Sequence, residues 1–423
     1  MNPAIRVQLS VMMFIQFFVW GAWVVTAATY LFAIGFTGEQ VGWAYSTTAW
    51  AAIVSPFFIG MVADRFFPAQ IVMGALHLLG AVLMFAASTV VTPGLFIPIL
   101  LAYALCYMPT LALVNAVAFN QMKDVGKQFP AIRVFGTLGW ITAGLGMMIL
   151  GWLVEDEFVI DATVIPLRIA AGASLLMGLY SFTLPHTPPK GRHEKVTARD
   201  VLGLDALSLM KNRSFAVFVV SSLLLCIPLA FYYAGANAFL NEIGMTNVVG
   251  KMTMGQMSEV VFMLVIPILL PILGIKRMLM VGMAAWVLRY ILFAYGGVGG
   301  PEVIMLYTGI LLHGICFDFF FVSGQIYVDE KAPREIRASA QGFIALITYG
   351  AGMAIGSILF GRISDMYAME SIVDGETVVT HNWTTIWLIP AGMALAILVF
   401  FTVLFNDKIQ PHQPQLEDEI EGA

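Results

Sequence analysis

Twelve apolar segments, each long enough to cross a lipid bilayer as a helix, run through this chain of 423 residues. Crossing about 30 Å of hydrocarbon takes about 20 helical residues, so each segment is predicted to be a membrane-spanning helix. We number them helix 1 to helix 12, and in order they cover residues 7–34, 40–63, 69–90, 94–120, 130–154, 163–184, 214–241, 252–273, 277–297, 302–328, 338–366 and 383–406. The chain is therefore predicted to be an all-α membrane protein.

Composition excludes several classes of function. With 60% apolar and 11% charged residues, the chain is neither a water-soluble enzyme nor a disordered or soluble repeat protein, because it has too little polar surface to cover its apolar residues. The net charge of −5 leaves no basic surplus for binding nucleic acid. Cys106, Cys226 and Cys316 lie inside apolar segments without a CxxC spacing, which favours neither a zinc site nor a disulfide framework. No Walker loop, GxSxG or HExxH motif occurs, so we expect no enzymatic activity and no metal site.

The spacing of the segments is interrupted once, by a polar and Pro-rich stretch at residues 185–213. We interpret this stretch as a linker between two six-helix bundles, an amino-terminal one at residues 1–184 and a carboxy-terminal one at residues 214–406. The remaining polar and acidic residues, 407–423, are predicted to form a tail. The first apolar segment is too long for a signal-peptide core and is read as an uncleaved helix.

Basic residues predict the orientation in the membrane. If the amino terminus is cytoplasmic, 17 of the 21 Lys and Arg residues fall in cytoplasmic loops, the linker or the tails, while acidic stretches at 155–157 and 370–376 fall outside. The positive-inside rule therefore predicts a multi-pass membrane protein with both termini, the linker and the tail in the cytoplasm.

The two halves resemble each other in one loop. Residues 130–136 and 333–342, before helices 5 and 11, each place an Arg and then a Gly at the start of an apolar helix. Two parallel repeats of six helices, with a substrate site between them near the middle of the membrane, are typical of a transporter. The predicted architecture is the major facilitator superfamily fold. Residues 60–65, between helices 2 and 3, partly match the gating loop of that superfamily and also fit an ordinary charged turn.

Ionisable residues inside membrane helices are costly and usually face a cavity or a partner. Glu259 and Asp318 lie within helices 8 and 10 and have no basic residue one turn away on their own helices, so we interpret both as functional. Arg289 is interpreted as structural, pinning helix 9 to backbone carbonyls of a neighbour. Arg133, near the cytoplasmic end of helix 5, fits a gating salt bridge and a cavity position equally well. His77 and His313 fit either proton relay or hydrogen-bonded packing.

Polar and aromatic side chains share helical faces at several points. Gln256 and Glu259 are three residues apart on helix 8, and Arg133, Thr137 and Trp140 form one stripe on helix 5. Aromatic stripes are more often packing than binding, but the amides, hydroxyls and carboxylates among these favour a cavity for a small, flat, polar solute. Comparable stripes on helices 1, 7 and 10 are Gln16, Trp20 and Trp23; Tyr232, Tyr233 and Asn237; and Phe317, Asp318, Phe321 and Gln325.

In order along nearly the whole chain, a series of local motifs resembles the bacterial nucleoside:proton symporters of the major facilitator superfamily, the nucleoside permease group. The combination is more specific than any one motif. The stretches that carry the resemblance are residues 16–23, 107–111, 132–139, 202–206, 256–259, 285–296, 317–320 and 336–342.

The resemblance implies uptake of nucleosides by alternating access, driven by a proton gradient, with no cofactor other than the coupling proton. The family's nucleoside site maps onto Arg133, Thr137, Gln256, Glu259, Phe317 and Asp318, and Trp140 stands where better-known members have another aromatic residue. Helix 7 departs from the family, because Ala230 and Tyr233 stand where those members place Gln and Asn.

We expect the substrate to contact Arg133, Thr137, Trp140, Tyr233, Asn237, Gln256, Glu259, Phe317 and Asp318. A low-dielectric cavity disfavours the charged form of a carboxylate, so a carboxylate there can load and release a proton. Asp318 is the favoured coupling residue and Glu259 the favoured ligand of substrate hydroxyls, with the two roles shared or exchanged as an alternative. A carrier of another polar solute, such as a sugar, and a non-transporting membrane receptor remain open. The expected partners are the solute and the lipid bilayer, and the carrier is expected to be a monomer.

Overall fold

The computed structural model describes residues 2–62, 66–154, 158–189, 203–333, 336–373 and 376–406, with the side chains of 56–62, 126, 338, 373, 376 and 377 left out of the description. The charged end of the loop at 60–65, the acidic stretch 155–157, most of the linker and the whole tail therefore lie outside the described residues.

The described residues form twelve long helical segments at the positions of the twelve predicted helices. Helix 8 and helix 9 are the two parts of one continuous element that breaks at Gly274, and helices 10 and 11 are built from consecutive shorter turns. The bounds of helices 1 to 12 are Pro3–Trp23 with Ala27–Ala33, Gly38–Val62, Ala69–Ala87, Pro93–Asn120, Pro130–Val154, Ile165–Ser181, Arg213–Glu242, Val248–Tyr295 for helices 8 and 9 together, Val303–Lys331, Arg337–Ala345 continued to Met366, and Trp383–Leu404.

Length and hydropathy agree with membrane crossing for most of these segments. Within the described part of the chain, nine elements are long and apolar enough to span a bilayer, and one of them is the double element of helices 8 and 9. Ile165–Ser181 is shorter, at 17 residues. The break between helices 8 and 9 is a backbone effect, since Gly274 has φ 73°, a left-handed conformation that glycine adopts without steric cost.

Side-chain caps explain where several helices begin. The Asn2 carboxamide oxygen accepts a hydrogen bond from the Ala4 backbone N–H, and Pro3 occupies the first helical turn. Asn212 caps helix 7 through the Phe215 N–H, and Asn382 caps helix 12 in the same way. These caps satisfy backbone donors that the first helical turn leaves unpaired.

Two features differ from the sequence prediction. Helix 1 is interrupted at residues 24–26, although no Pro or Gly stands there. Part of the predicted outer loop at 370–376 belongs to a β-hairpin in which Ala368–Val373 pairs antiparallel with Glu376–His381. His381 joins the hairpin to helix 7, because its backbone N–H and its ring Nδ1 contact the Glu242 carboxylate at 2.6 and 2.8 Å.

The helix bundle has two opposite ends, and we name each end after the segment that lies there. The connector face carries the start of helix 1 and the two ends of the linker, and the hairpin face carries the β-hairpin. Near the hairpin face the halves are in contact: backbone N–H groups of Gly38 and Glu39 on helix 2 donate to the Asp365 carboxylate on helix 11. The halves are therefore closed against each other at the hairpin face.

Close approach of helices 2 and 11 depends on glycine. A Cβ atom on Gly42 would lie 2.5 Å from the Ser357 carbonyl oxygen, and one on Gly38 would lie 2.6 Å from that of Gly361. Small residues spaced four apart let membrane helices pack backbone to backbone. This glycine contact is the main packing between the halves at the hairpin face.

Candidate functional site

A chain of three polar side chains connects helices 8, 9 and 10 inside the carboxy-terminal half. Glu259 Oε1 lies 2.7 Å from His313 Nε2, and His313 Nδ1 lies 2.9 Å from a guanidinium nitrogen, Nη1, of Arg289. Arg289 and His313 are fully buried, whereas the Glu259 side chain keeps 19% of its surface exposed. Of these three side chains, Glu259 is therefore the one that a solute can reach. It lies about 16 Å along helix 8 from the first residue of that helix.

The geometry assigns the proton on His313. An arginine nitrogen only donates hydrogen bonds, so Nδ1 of His313 must accept from Arg289. The ring proton then sits on Nε2 and is donated to the Glu259 carboxylate. Arg289 therefore holds His313 as the neutral ring with a fixed donor, and His313 holds Glu259 as a hydrogen-bond acceptor.

Arg289 is held by more than this contact. Its guanidinium carbon lies 3.4 Å from the centre of the Tyr232 ring, a cation–π geometry. The prediction that Arg289 pins helix 9 through backbone carbonyls is wrong. In the described part of the chain, its guanidinium contacts the His313 ring and aromatic faces instead. Arg289 is still a structural residue, because it positions the His313 side chain.

Asp318 stands where helix 10 departs from regular α-helical geometry. Residues Asp318–Val322 form one π-helical turn, a local irregularity that is frequent at functional sites. The side chain is fully buried, and neither carboxylate oxygen has a hydrogen-bond partner in the described part of the chain. An ionised carboxylate without partners is expensive to bury, so this environment favours the protonated form.

Arg133 reaches toward the same region from the other half. Its guanidinium carbon lies 4.1 Å from the centre of the Phe17 ring on helix 1, and the charge of Glu259 acts on it across the boundary between the halves. Thr137 and Trp140 continue this face of helix 5 and are half-buried. Trp140 packs against helix 1 at Gly21, where a Cβ atom would lie 3.1 Å from the indole.

The other predicted site residues fall at different distances from this centre. Gln256 lies on helix 8 one turn before Glu259 and is buried. Phe317 is half-buried, with its ring centre 6.1 Å from that of His313. Tyr233 is half-buried as well, and it lies within electrostatic reach of Glu259. The roles of these residues remain predictions.

Asn237 lies apart from them, in contacts near the hairpin face. Its carboxamide oxygen accepts a hydrogen bond from the Thr29 hydroxyl on helix 1, and its nitrogen donates to Asp161 at 2.9 Å. With only 1% of its surface exposed, the side chain is used by other protein groups. The proposed substrate contact of Asn237 therefore receives no support from the geometry.

Sequence reasoning missed part of the site. It noticed His313 without linking it to Glu259, and it did not single out Tyr349 of helix 11, whose environment includes both Arg133 and Glu259. The sequence gives no signal for Tyr349, because the π-helical segment Leu346–Gly352 in which it lies is not predicted by any sequence pattern. His77, by contrast, is a packing residue, hydrogen-bonded at 2.8 Å to Gln16 and at 3.1 Å to Ser174 within the amino-terminal half.

Comparison with known proteins covers nearly the whole chain. Residues 3–410 match the family model of the nucleoside H+ symporters. YegT of Escherichia coli K12 is 44% identical over 402 residues, with 95% of this chain and 93% of that protein covered. The nucleoside permease NupG of the same organism is 33% identical over 419 residues, with 96% of each protein covered.

Solved structures agree with these relationships. The crystal structure of the nucleoside transporter NupG superposes with a TM-score of 0.84 at 33% identity, covering 96% of this chain and all of that one. A D-xylose–proton symporter superposes with a TM-score of 0.69 at 12% identity, over 95% and 98% of the two chains, and shares the fold. The predicted twelve-helix major facilitator fold is confirmed, and the chain belongs to the nucleoside H+ symporter family.

Proposed function

We propose that this protein carries nucleosides across the membrane together with protons, by alternating access to a site between its halves. One observation of the site carries the proposal. Two carboxylates of the carboxy-terminal half stand in opposite environments, with Glu259 held as an acceptor by a donor and Asp318 buried without one. Two titratable groups in different surroundings can take different roles in one site, one as a hydrogen-bond acceptor and the other as a carrier of a proton.

Glu259 accepts hydrogen bonds from the hydroxyl groups of the substrate. The His313 N–H donates to one oxygen of this carboxylate at 2.7 Å, and the exposed fraction of the Glu259 side chain leaves lone pairs free for a sugar hydroxyl. Gln256, on the same face one turn away, supplies an amide beside it. The aromatic rings of Phe317, Trp140 and Tyr233 offer faces on which a nucleobase stacks.

Asp318 carries the coupling proton. Its burial without partners supports this role, because a neutral carboxyl is tolerated there and a charged one is not. When Asp318 loses its proton, its half gains a negative charge that adds to the attraction between Glu259 and Arg133 of the other half. Attraction to Arg133 then favours the arrangement of the halves that returns the empty carrier.

The membrane setting extends the proposal. The carrier acts as a monomer in the cell inner membrane. Both termini and the connector face lie on the cytoplasmic side, as the distribution of Lys and Arg predicts. The closed hairpin face then corresponds to the outer side, and this structure has the halves sealed against that side. Cysteines introduced at Lys195 and Asp156 test the sidedness, since they should react with an impermeant thiol reagent from opposite sides.

Uptake into proteoliposomes tests the division of roles. Asp318→Asn keeps the shape of the side chain but cannot ionise, so it should lose accumulation driven by an inward proton gradient while retaining exchange of uridine or adenosine. Glu259→Gln should chiefly weaken substrate binding. Full accumulation by Asp318→Asn would contradict the proton role. A preference for a sugar over both nucleosides in the same vesicles would contradict the substrate class.

A further inference from the structure

A buried aspartate outside the substrate site joins the two halves near the hairpin face. Asp161 lies in the short turn Ile160–Ala162 between helices 5 and 6 and is 2% exposed. Its Oδ2 atom accepts hydrogen bonds from the Asn237 side chain at 2.9 Å, the Asn241 side chain at 3.1 Å and the Val249 backbone N–H at 3.2 Å. The acceptor belongs to the amino-terminal half and all three donors belong to the other half.

The surroundings of this carboxylate exclude water. Met147 and Ile160 of the amino-terminal half and Val249 of the carboxy-terminal half form a buried apolar cluster around the turn. Burial raises the pKa of Asp161 above its ordinary value, and the three hydrogen bonds offset part of that change. Asn237 extends the network to helix 1, because its oxygen accepts from the Thr29 hydroxyl.

These bonds must break whenever the hairpin face opens. In alternating access, two largely rigid bundles rock about the substrate site, so contacts between them at one face are lost when that face opens. A buried acceptor that loses three donors at once contributes strongly to the difference between the closed and open states.

We propose that Asp161 is a latch residue, which holds the hairpin face closed by accepting hydrogen bonds from helices 7 and 8 of the opposite half. The inference rests on the proposed alternating-access function but adds a positioning residue that never contacts the substrate. It also gives Asn237 a role between the halves in place of the substrate contact predicted from the sequence.

The arrangement of the three donors makes the latch testable by two substitutions of similar size. All three donors converge on Oδ2, and an asparagine oxygen placed there accepts the same bonds. Asp161→Asn therefore retains the latch, whereas Asp161→Ala removes the acceptor. Asn241→Ala removes one donor and leaves the carboxylate in place.

A cysteine at position 253 reports opening of the hairpin face. Thr253 on helix 8 is 3% exposed and faces helix 5 of the other half, where a Cβ atom on Gly144 would lie 2.5 Å from its Cγ2 atom. Thr253→Cys keeps a side chain of similar volume without the Cγ2 methyl group, and the native cysteines Cys106, Cys226 and Cys316 are all buried. A small hydrophilic thiol reagent should label position 253 only when the halves separate there.

Labelling rates are measured on purified protein without substrate, in the Thr253→Cys background. Asp161→Ala should speed labelling by at least about tenfold, the effect of losing one hydrogen bond to a charged group. Asp161→Asn should label more slowly than Asp161→Ala, because its amide oxygen keeps the three bonds and lacks only the charge. An unchanged rate in Asp161→Ala, or equally fast labelling in both variants, would overturn the latch.

Two further measurements keep the outcome clear. If Asp161→Ala does not fold, Asn241→Ala supplies the test, because it should speed labelling by a smaller factor and an unchanged rate would again overturn the proposal. Since no nucleoside is present, the labelling result stands whether or not the protein carries nucleosides. Failure of uridine and adenosine uptake in the parent protein would contradict the proposed function alone.

Discussion

Replacing His313 with glutamine and with alanine separates its hydrogen bonds from its capacity to carry a proton. A glutamine side chain places a carbonyl oxygen and an amide N–H close to the two ring nitrogens, so it can accept from Arg289 and donate to Glu259. It cannot be protonated near neutral pH. Because Arg289 already holds His313 neutral, His313→Gln should retain nucleoside binding, stability and accumulation driven by a proton gradient.

His313→Ala removes both hydrogen bonds and leaves the buried Arg289 guanidinium without its acceptor. Each hydrogen bond to a charged group contributes about 1.5–3 kcal/mol, and breaking a buried charged network by removing one partner costs about 3–5 kcal/mol. We expect His313→Ala to lower the free energy of unfolding by about 3–5 kcal/mol. Nucleoside affinity should fall as well, because Glu259 loses the donor that orients it.

Unfolding of the purified protein, calorimetric binding of a nucleoside and uptake into proteoliposomes measure the three quantities. Full stability in His313→Ala would show that the contacts with Glu259 and Arg289 contribute nothing. Normal binding combined with lost accumulation in His313→Gln would show that His313 itself carries the proton, and the assignment of Asp318 would then be wrong.

Two other substitutions test the stacking surface and the closed face. Phe317→Ala should weaken nucleoside binding by about 1–3 kcal/mol in calorimetry, the range for a base stacked on an aromatic ring, and unchanged affinity would make Phe317 a packing residue only. Gly42→Val should prevent closure against Ser357 and abolish uptake, because overpacking a tight contact costs about 1–3 kcal/mol or more. Gly172→Val is the matched control, since a Cβ atom there meets nothing within 4 Å, and equal loss in both variants would refute the steric explanation.

Apolar length alone was sufficient to predict the membrane helices, because hydrocarbon thickness sets how many residues a span needs. The boundary between helices 8 and 9 also followed from sequence, at Gly274 and the basic pair after it. The hairpin was missed although Asp374-Gly375, a dipeptide that favours tight turns, lies between its strands. The interruption of helix 1 at residues 24–26 has no Pro or Gly signal, so it depends on packing rather than on local sequence.

The sequence likewise predicts some features of the candidate site and not others. Glu259 and Asp318 were identified because a carboxylate is conspicuous in an apolar helix. Their different surroundings were not predictable, since the partner of Glu259 is on another helix and depends on how helices 8 and 10 face each other. Asp161 drew no attention because an acid in a loop is ordinary, and only its burial between the halves reveals it. The contacts of Asn237 with Thr29 and Asp161 were not predictable either, because helical spacing gives the face of a residue but not its neighbours.

Two substitutions of Arg133 separate the effect of its charge from the effect of its shape. Lysine keeps the charge that acts on Glu259 but loses the flat guanidinium that lies 4.1 Å from the Phe17 ring, a contact of about 0.5–2 kcal/mol. Arg133→Lys should therefore slow uptake by about thirtyfold at most, whereas Arg133→Gln removes the charge and should reduce gradient-driven uptake much further. Initial rates in proteoliposomes give the comparison. If both variants lose the same activity, stacking on Phe17 is the feature that matters, and attraction between Arg133 and the carboxylates of the other half is not what returns the empty carrier.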